Sequence, residues 1–362
     1  MSRFSRYILR VFFQQFALLL ISFAALLQLF DLLSNSVDVM HRSGGGIGTL
    51  GLYALLRLPE IVSFLIPFVV LLAALMTLGR LERDNEILAY KASGAPYNAV
   101  LLAFLPAVFL VAIGHFGLAD QIVPRAIDEM VRRDIYVDKI SRSDDSPSLF
   151  IQDGKSVVEV GRVVNFGTEL RRVKIYSRPG ESGIMSNFRA VAFANFDTKQ
   201  HRWILKDVWS TDIHADRPTQ PVFIQQQIWD TTLTPTEFSN LIELPQAMPL
   251  SKIWSFATSN EVGVRPTYFY EAWLHKRFAI AVSSVLMILL AAPVAHRVYQ
   301  RDRGVAAGMA IGFMLGFLYF VADGLVMSLG ESGAVPPMVA AWMPILVFAS
   351  VGGAWLIRLE GY

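Results

Sequence analysis

Six apolar stretches, each about as long as a membrane-spanning helix, constrain the fold of this 362-residue chain more than any other feature. A helix needs roughly 20 apolar residues to cross about 30 Å of hydrocarbon, and it satisfies its own backbone hydrogen bonds there. The six stretches are Val11–Leu33, Leu58–Gly79, Tyr97–Ala119, Arg277–Ala295, Val305–Leu329 and Met338–Ile357. We therefore predict an α-helical membrane protein with six transmembrane helices in a 3+3 arrangement.

Basic residues in the short connections predict the orientation of these helices. Lys and Arg are enriched in cytoplasmic loops. One side carries ten basic residues and the other four, and those of the richer side are Arg3, Arg6, Arg10, Arg80, Arg83, Lys91, Arg297, Arg301, Arg303 and Arg358. We expect both termini to be cytoplasmic and the segment 120–268 to lie outside. The first apolar stretch is too long for a signal-peptide core, so we interpret it as a retained anchor.

The polar segment 120–268 predicts a separate domain inserted between the third and fourth spans. Short runs of β-branched and polar residues alternate with polar turns, as expected for strands, at 156–163, 170–176, 189–196, 203–213 and 221–229. This pattern indicates an all-β domain of sandwich, barrel or jelly-roll type. Its apolar positions fit either a closed core or an open trough for acyl chains. The chain has no cysteine, so the domain must fold without disulfides.

The predicted organisation has three parts. Residues 1–119 hold the first three transmembrane helices, 120–268 the β domain with helical connectors, and 269–362 the last three transmembrane helices. The connectors are a helical extension of the third span over 120–140 and a short helix over 251–260 that leads back to the membrane.

Motifs for catalysis, nucleotide binding and metal binding are absent from the sequence. It contains no G-x-x-x-x-G-K-[ST], H-E-x-x-H or G-x-S-x-G pattern, and its six histidines are scattered. A net charge of +2 is too small to indicate nucleic-acid binding. We therefore expect a protein that is not an enzyme, with no catalytic residues, no cofactor and no metal.

The connection between the second and third spans is the most informative short segment. Residues 80–94 place apolar side chains on one helical face and charges elsewhere, and Gly94 and Pro96 are helix-stop signals. This predicts a short amphipathic helix at about 80–94 on the cytoplasmic surface. Such a helix either connects two spans along the membrane surface or docks into a groove on a cytosolic partner.

Residues 86–94, Glu-Ile-Leu-Ala-Tyr-Lys-Ala-Ser-Gly, resemble the E-[LI]-x-x-x-x-A-[SC]-G segment of the lipopolysaccharide-export permeases LptF and LptG. Further fragments match that family in order and spacing, namely Phe30-Asp31, Pro59, Pro67, Leu233-Thr234-Pro235, 317–323, 335–337 and Pro344. The pattern favours the LptG branch. The resemblance implies a permease subunit of an ABC-type exporter in the bacterial inner membrane, with a periplasmic jelly-roll-like domain, that extracts lipopolysaccharide and passes it to a periplasmic bridge.

The resemblance also implies partners and a contact site for one of them. The partners are an LptB-type ATPase dimer, an LptF-type second permease subunit, and LptC-type and LptA-type bridge proteins. A separate ATPase explains why this chain has no nucleotide-binding motif of its own. The residues expected to contact the ATPase are Glu86, Arg83, Ile87, Leu88 and Tyr90.

Helices one and five of the family form a lateral gate against the second permease subunit. The matching residues here are Gln28, Asp31, Phe317, Phe320 and Asp323. Carboxylates at membrane depth are costly and usually face a cavity or partner, although near the interface they can also reach water or cap a helix. Because carboxylates repel lipid phosphates, we expect the two aspartates to position nearby cations. Gln28 stands near where the family leads us to expect a basic residue, which weighs against phosphate contact from helix one.

Four cations lie at the predicted outer rim, namely Arg42, Arg57, Lys276 and Arg277. They can donate charge-assisted hydrogen bonds to lipid phosphates. Alternatively they anchor the helices at the interface while their stems lie along apolar surface.

Three other functions are weighed against lipopolysaccharide export. Permeases for lipoprotein release or mechanotransmission usually carry their outside domain between helices one and two, which the 3+3 layout contradicts. A membrane scaffold that recruits periplasmic partners without transport also fits the layout. A secondary transporter would place charges near mid-bilayer, whereas these mid-span regions contain no Lys, Arg, Asp or Glu.

Overall fold

A computed structural model describes most of the chain and divides it into two compact units. The described residues are 3–43, 46–92, 94, 97–133, 135, 149–154, 156–164, 167–177, 186–198, 200–214, 217–218, 220–235, 237–238, 245–258, 265–300 and 304–360. The first unit comprises Met1–Val137, Pro245–Ala257 and Thr267–Tyr362, and the second Asp138–Leu244 and Thr258–Pro266.

The described helices include six that are long and apolar enough to cross a membrane. In chain order the helices are α1 (Arg3–Ser43), α2 (Ile47–Arg83), α3 (Glu86–Ala92), α4 (Tyr97–Gly117), α5 (Val123–Arg132), α6 (Leu250–Thr258), α7 (Thr267–Gln300), α8 (Gly304–Glu331) and α9 (Pro337–Glu360). The candidate spans lie in α1, α2, α4 with its continuation into α5, α7, α8 and α9. The predicted number and 3+3 order of spans are confirmed.

Helix α2 occupies the interior of the first unit. Every residue from Leu65 to Leu75 is buried, on all sides of the helix, as expected for a span surrounded by other helices. Helices α1 and α8 instead expose large apolar side chains such as Ile21, Leu33 and Met314. In a bilayer these exposed surfaces meet lipid or another membrane protein.

The helix of the third span continues past Ala119 into the extension predicted over 120–140, and the described part of that extension is helical as far as Arg132. One π-helical turn, Leu118–Ile122, joins α4 to α5. Such turns occur mostly as local insertions in α-helices and often at functional sites. Inside this turn the buried carboxylate of Asp120 accepts a hydrogen bond of 2.6 Å from the backbone N–H of Leu250 at the start of α6. The turn therefore ties two connector segments of the first unit together.

The second unit contains an antiparallel sheet, which confirms the predicted β domain between the third and fourth spans. Its strands are β1 (Leu149–Asp153), β2 (Ser156–Val164), β3 (Glu169–Ser177), β4 (Asn187–Asp197), β5 (Arg202–His214), β6 (Arg217–Pro218) and β7 (Val222–Trp229). Consecutive strands pair from β1 to β5, and β7 pairs with the other edge of β5. The short strand β6 pairs with the end of β5.

One face of the sheet carries the core of the second unit, in which Trp203 is the largest fully buried side chain. The indole Nε1 donates a hydrogen bond of 2.8 Å to the backbone oxygen of Leu233. The Trp203 ring contacts those of Phe238 and Trp229 at centroid distances of 5.2 and 6.0 Å. The Leu233-Thr234-Pro235 segment that matched the family pattern therefore closes this core, since Leu233 is buried in it.

We expect the close approach of α8 and α9 at Gly330 to make this glycine sensitive to substitution. A Cβ atom at Gly330 would lie 2.3 Å from the Cβ of Ala340 in α9, and small residues allow helices to pack closely in membranes. G330A should therefore destabilise the protein by about 1–3 kcal/mol through overpacking.

The matched control is G324A in the same helix, because a Cβ at Gly324 meets nothing within 4 Å. Thermal unfolding in detergent should show a lower midpoint for G330A and an unchanged or slightly higher midpoint for G324A. Equal midpoints for the two variants would contradict the close helix contact.

Candidate functional site

The connection between α2 and α4 contains a sharp turn followed by a separate short helix. The backbone N–H of Asp84 bonds to the carbonyl of Arg80 at 2.9 Å, and Asn85 adopts a left-handed φ of 56°. A residue in this left-handed backbone conformation interrupts a right-handed helix. Helix α2 therefore ends at Arg83, and the separate helix α3 begins at Glu86. The segment predicted as one helix over 80–94 therefore divides into the end of α2 and the seven residues of α3.

Helix α3 presents some predicted contact residues outward and buries others. Ile87 is buried in the core of the first unit. Leu88 is 65% exposed, and Arg83 before the turn is exposed as well. The helix is thus anchored by one apolar residue and exposes another, close in sequence to the exposed cation of Arg83.

The other two predicted contact residues, Glu86 and Tyr90, touch the beginning of α1. The hydroxyl of Tyr7 donates a hydrogen bond of 2.9 Å to Oε1 of Glu86. The ring of Phe4 stacks on that of Tyr90, with centroids 4.2 Å apart and planes inclined by 15°. Phe4 and Tyr7 were not among the predicted residues. Their three-residue spacing, which places both on one face of a helix, was the available sequence signal.

A second polar contact joins helix ends at the same end of the first unit. Nδ1 of His296 in α7 lies 3.1 Å from Oε1 of Glu82 in α2, and both side chains are largely buried. The end of α2 therefore contacts the end of α7, and α3, which follows the end of α2, contacts the start of α1.

Farther along α1, Asp31 has three donor side chains near its carboxylate. The hydroxyl of Tyr53 in α2 donates to Oδ2 at 2.7 Å, and the amide of Asn35 donates to Oδ1 at 3.1 Å. Nε of Arg57 lies 3.4 Å from Oδ1, and this guanidinium also pairs with Glu60. The structure thus brings together a predicted gate carboxylate and a predicted rim cation, on α1 and α2.

Asp323 in α8 pairs with Lys276 in α7, which joins another predicted gate carboxylate to another predicted rim cation. The ammonium donates to both carboxylate oxygens, and the two side chains are only 15% and 13% exposed. Phe320 in the preceding turn stacks on Phe64 of α2 at 5.1 Å. Phe317 points outward instead and is exposed.

The side chain of Arg277 lies in a different environment from that of its neighbour Lys276. The residue is only 5% exposed, and its guanidinium donates to the backbone oxygens of Ala119 at 2.6 Å, Pro245 at 3.2 Å and Met248 at 2.6 Å. Successive helix residues point about 100° apart, so the two cations face different surroundings. Arg277 holds the connector segments of the first unit together, and its contact with a lipid phosphate stays a prediction that requires these bonds to break.

The remaining sequence candidates have no polar partner or fall outside the described part. Both amide atoms of Gln28 are buried and make no hydrogen bond to a residue that the structure describes. The side chain of Arg42 lies outside the described residues. Within the described ranges, no group of three or more His, Asp or Glu side chains is placed to hold a metal ion.

The polar contacts described above join helices to one another at both ends of the first unit. One end of the first unit carries the short, partly exposed helix α3 with the carboxylate of Glu86. The opposite ends of the same helices carry two ion-paired junctions, Asp31–Arg57 and Asp323–Lys276. Polar contacts between helices at membrane depth can hold one arrangement of the helices or exchange partners when it changes.

Comparison with known proteins finds similarity along nearly the whole chain. The profile of the family described as lipopolysaccharide export system permease LptF/LptG matches residues 6–358. The lipopolysaccharide export system permease protein LptG of Escherichia coli K12 is 24% identical over 330 residues, which cover 89% of each chain. The LptG protein of Haemophilus influenzae is 25% identical over 304 residues, covering 81% of each.

We expect the Lys276–Asp323 pair to be required for stability. Removing one member leaves the other as an unpaired charge inside a membrane span, which costs about 3–5 kcal/mol in buried pairs. K276M and D323N should each lower the thermal midpoint in detergent, and the exchange K276D/D323K should restore most of the loss.

K206M serves as the control for loss of a lysine, because Lys206 is exposed on the sheet of the second unit. It should leave the midpoint unchanged. Wild-type midpoints in both K276M and D323N would show that the ion pair contributes nothing to stability.

Proposed function

Because the chain belongs to the lipopolysaccharide export permease family LptF/LptG, we propose that it is the permease subunit of an ABC-type exporter powered by a separate ATPase. The resemblance found in the sequence is confirmed by this membership. The chain is a multi-pass inner-membrane permease of lipopolysaccharide export, a transporter subunit and a component of the Lpt system. Relatives named LptG support an LptG role opposite an LptF-type subunit.

The proposed orientation places both termini in the cytoplasm and residues 120–268 in the periplasm. The contacts Tyr7–Glu86 and Glu82–His296 gather the starts and ends of helices at one end of the first unit. The sequence concentrates its basic residues in the segments at that end, and such an excess marks the cytoplasmic side. This orientation turns α3 towards the cytosol and the Asp31 and Asp323 junctions towards the periplasm.

Helix α3 is the proposed docking element for an LptB-type ATPase dimer. The observation that supports this most is that α3 is a separate short helix between two spans. Its Leu88 is exposed, and its Ile87 is buried in the core of the first unit. Short amphipathic helices commonly dock into grooves of partner proteins. Glu86 and Arg83 would supply its charged contacts. Tyr90 would hold the helix in place through its stacking on Phe4 of α1.

Helices α1 and α8 are proposed to form the lateral gate against the second permease subunit. Both expose large apolar side chains within their spans, among them Phe30 and Leu33 in α1 and Phe317 and Leu325 in α8. Between lipid and a partner subunit, such faces can open and close without uncovering polar backbone. Gln28 on α1 is proposed to find its hydrogen-bond partner in this gate.

The outer ends of these helices are proposed to receive the lipid headgroup. Asp31 and Asp323 each hold one cation, Arg57 and Lys276 respectively, near the predicted outer rim. A guanidinium or ammonium so placed can exchange a carboxylate for a lipid phosphate. Arg42 belongs to the same proposed rim by sequence. From there the lipid would pass to a bridge of LptC-type and LptA-type proteins in the periplasm.

The coupling proposal predicts what purification and charge reversal should show. The wild-type chain, purified from detergent-solubilised membranes, should bring with it a P-loop ATPase and a second permease of 3+3 layout. E86K should lower lipopolysaccharide transfer per ATP hydrolysed at least tenfold, because the reversed charge opposes the cation expected on the ATPase.

D230K in the second unit is the control for charge reversal, because Asp230 is exposed just after β7, and it should transfer at the wild-type ratio. Wild-type assembly and transfer in E86K would reject the role of Glu86. Recovery of neither protein partner would favour a non-transporting scaffold.

The rim proposal predicts the positions at which lipopolysaccharide can be captured. Photo-reactive residues at positions 28, 42, 57 and 276 should form adducts with lipopolysaccharide in membranes. Position 18 is the control, since Leu18 is exposed on α1 but lies in its proposed cytoplasmic half. No adduct at any of the four positions would remove this rim from the substrate path.

A further inference from the structure

The start of α1 and the short helix α3 meet through two matched side-chain pairs. Glu86 and Tyr90 are four residues apart and therefore lie on one face of α3, while Phe4 and Tyr7 are three apart on one face of α1. The hydrogen bond from Tyr7 to Glu86 at 2.9 Å and the stacking of Phe4 on Tyr90 at 4.2 Å join these faces. The two pairs attach α3 to α1 at two points that are one helical turn of α3 apart.

The covalent link of α3 to its preceding span is short and sharply bent. It consists of Asp84 and Asn85, and Asn85 holds a φ of 56°. A link of this kind can act as a hinge, since a few residues at an element's end absorb changes in backbone angle. The attachment to α1 therefore supplies a second route by which a displacement of α3 reaches the membrane helices.

Helix α1 is suited to carry such a displacement because nothing in its sequence interrupts it. It runs from Arg3 to Ser43 without a glycine or proline, whereas α2 contains Pro59 and Pro67. Kinks in helices arise mainly at such residues. From Tyr7 to Asp31 the rise of 1.5 Å per residue gives about 36 Å. Its far part is tied to α2 through the Tyr53 and Arg57 contacts of Asp31.

We propose that Phe4 and Tyr7 are positioning residues that fasten α3 to α1, so that the two elements move together and α1 carries the motion to the Asp31 junction. This inference rests on the proposed coupling of α3 to a partner ATPase. Tyr7 engages Oε1 of Glu86, and Oε2 receives no hydrogen bond from a residue that the structure describes. The carboxylate can thus hold Tyr7 and a cation of the partner at once.

Spin labels can test whether α1 and α3 move together. The chain has no native cysteine, so labels attached before assembly at Q14C on α1 and A92C on α3, both exposed positions, report this pair alone. In the assembled complex the label distance should be the same with and without a non-hydrolysable ATP analogue. In the F4A/Y7F background the distance should shift or broaden when the nucleotide binds. A nucleotide-dependent shift without those substitutions, or no effect of F4A/Y7F, would overturn the proposal.

The single substitution Y7F tests the hydrogen bond with little risk to the fold. Lipopolysaccharide transfer per ATP should fall about tenfold, the range expected when a bond to a charged acceptor is lost, while the amount of co-purified ATPase stays unchanged and the thermal midpoint falls only slightly. Y268F is the control, because Tyr268 at the start of α7 is exposed and distant in sequence from α3. If E86K uncouples transfer and Y7F does not, this inference fails alone; if E86K has no effect, the proposed function of α3 fails.

Discussion

The poor access of water to polar groups buried within the membrane spans is the constraint on which the arrangement of the first unit depends. A polar group there must find its partner in the protein. Asp31 meets Tyr53 and Arg57, Lys276 meets Asp323, and Arg277 meets three backbone oxygens. Each requirement is met by joining one helix to another element, so desolvation fixes which helices pair near their ends. The apolar middle of α2 supplies packing without such specificity.

This arrangement of packed interior and polar ends suits the role proposed for the chain in lipopolysaccharide export. The interior of α2 gives a rigid packed centre, while the two ends of the bundle carry exchangeable polar contacts. At one end α3 offers an exposed surface and is fastened to α1. At the other end two carboxylates hold cations near the place where a phosphorylated lipid would arrive. Helix α1 joins both ends, so an event at α3 and an event at Asp31 share one element.

Hydropathy and residue periodicity predicted the helices and most strands well, but they did not predict which helices contact each other. The six spans followed from apolar length, and five of the seven described strands followed from β-branched residues between polar turns. Strands β1 and β6 were missed because they have only five and two residues. Hydropathy places a residue along a helix axis but does not say which helix its side chain faces. Lys276 and Asp323 are 47 residues apart and Tyr7 and Glu86 are 79 apart, so neither pair was predictable. Lys276 and Arg277 looked alike in sequence and point about 100° apart.

Transfer in a reconstituted system tests the central claim most directly. Proteoliposomes would contain lipopolysaccharide, this chain, the second permease subunit and the ATPase dimer, and release to a soluble periplasmic bridge protein would be followed over time. Our account predicts transfer that requires both ATP and this chain and that stops when either is omitted. Transfer without ATP, or equal transfer by complexes that lack this chain, would contradict it.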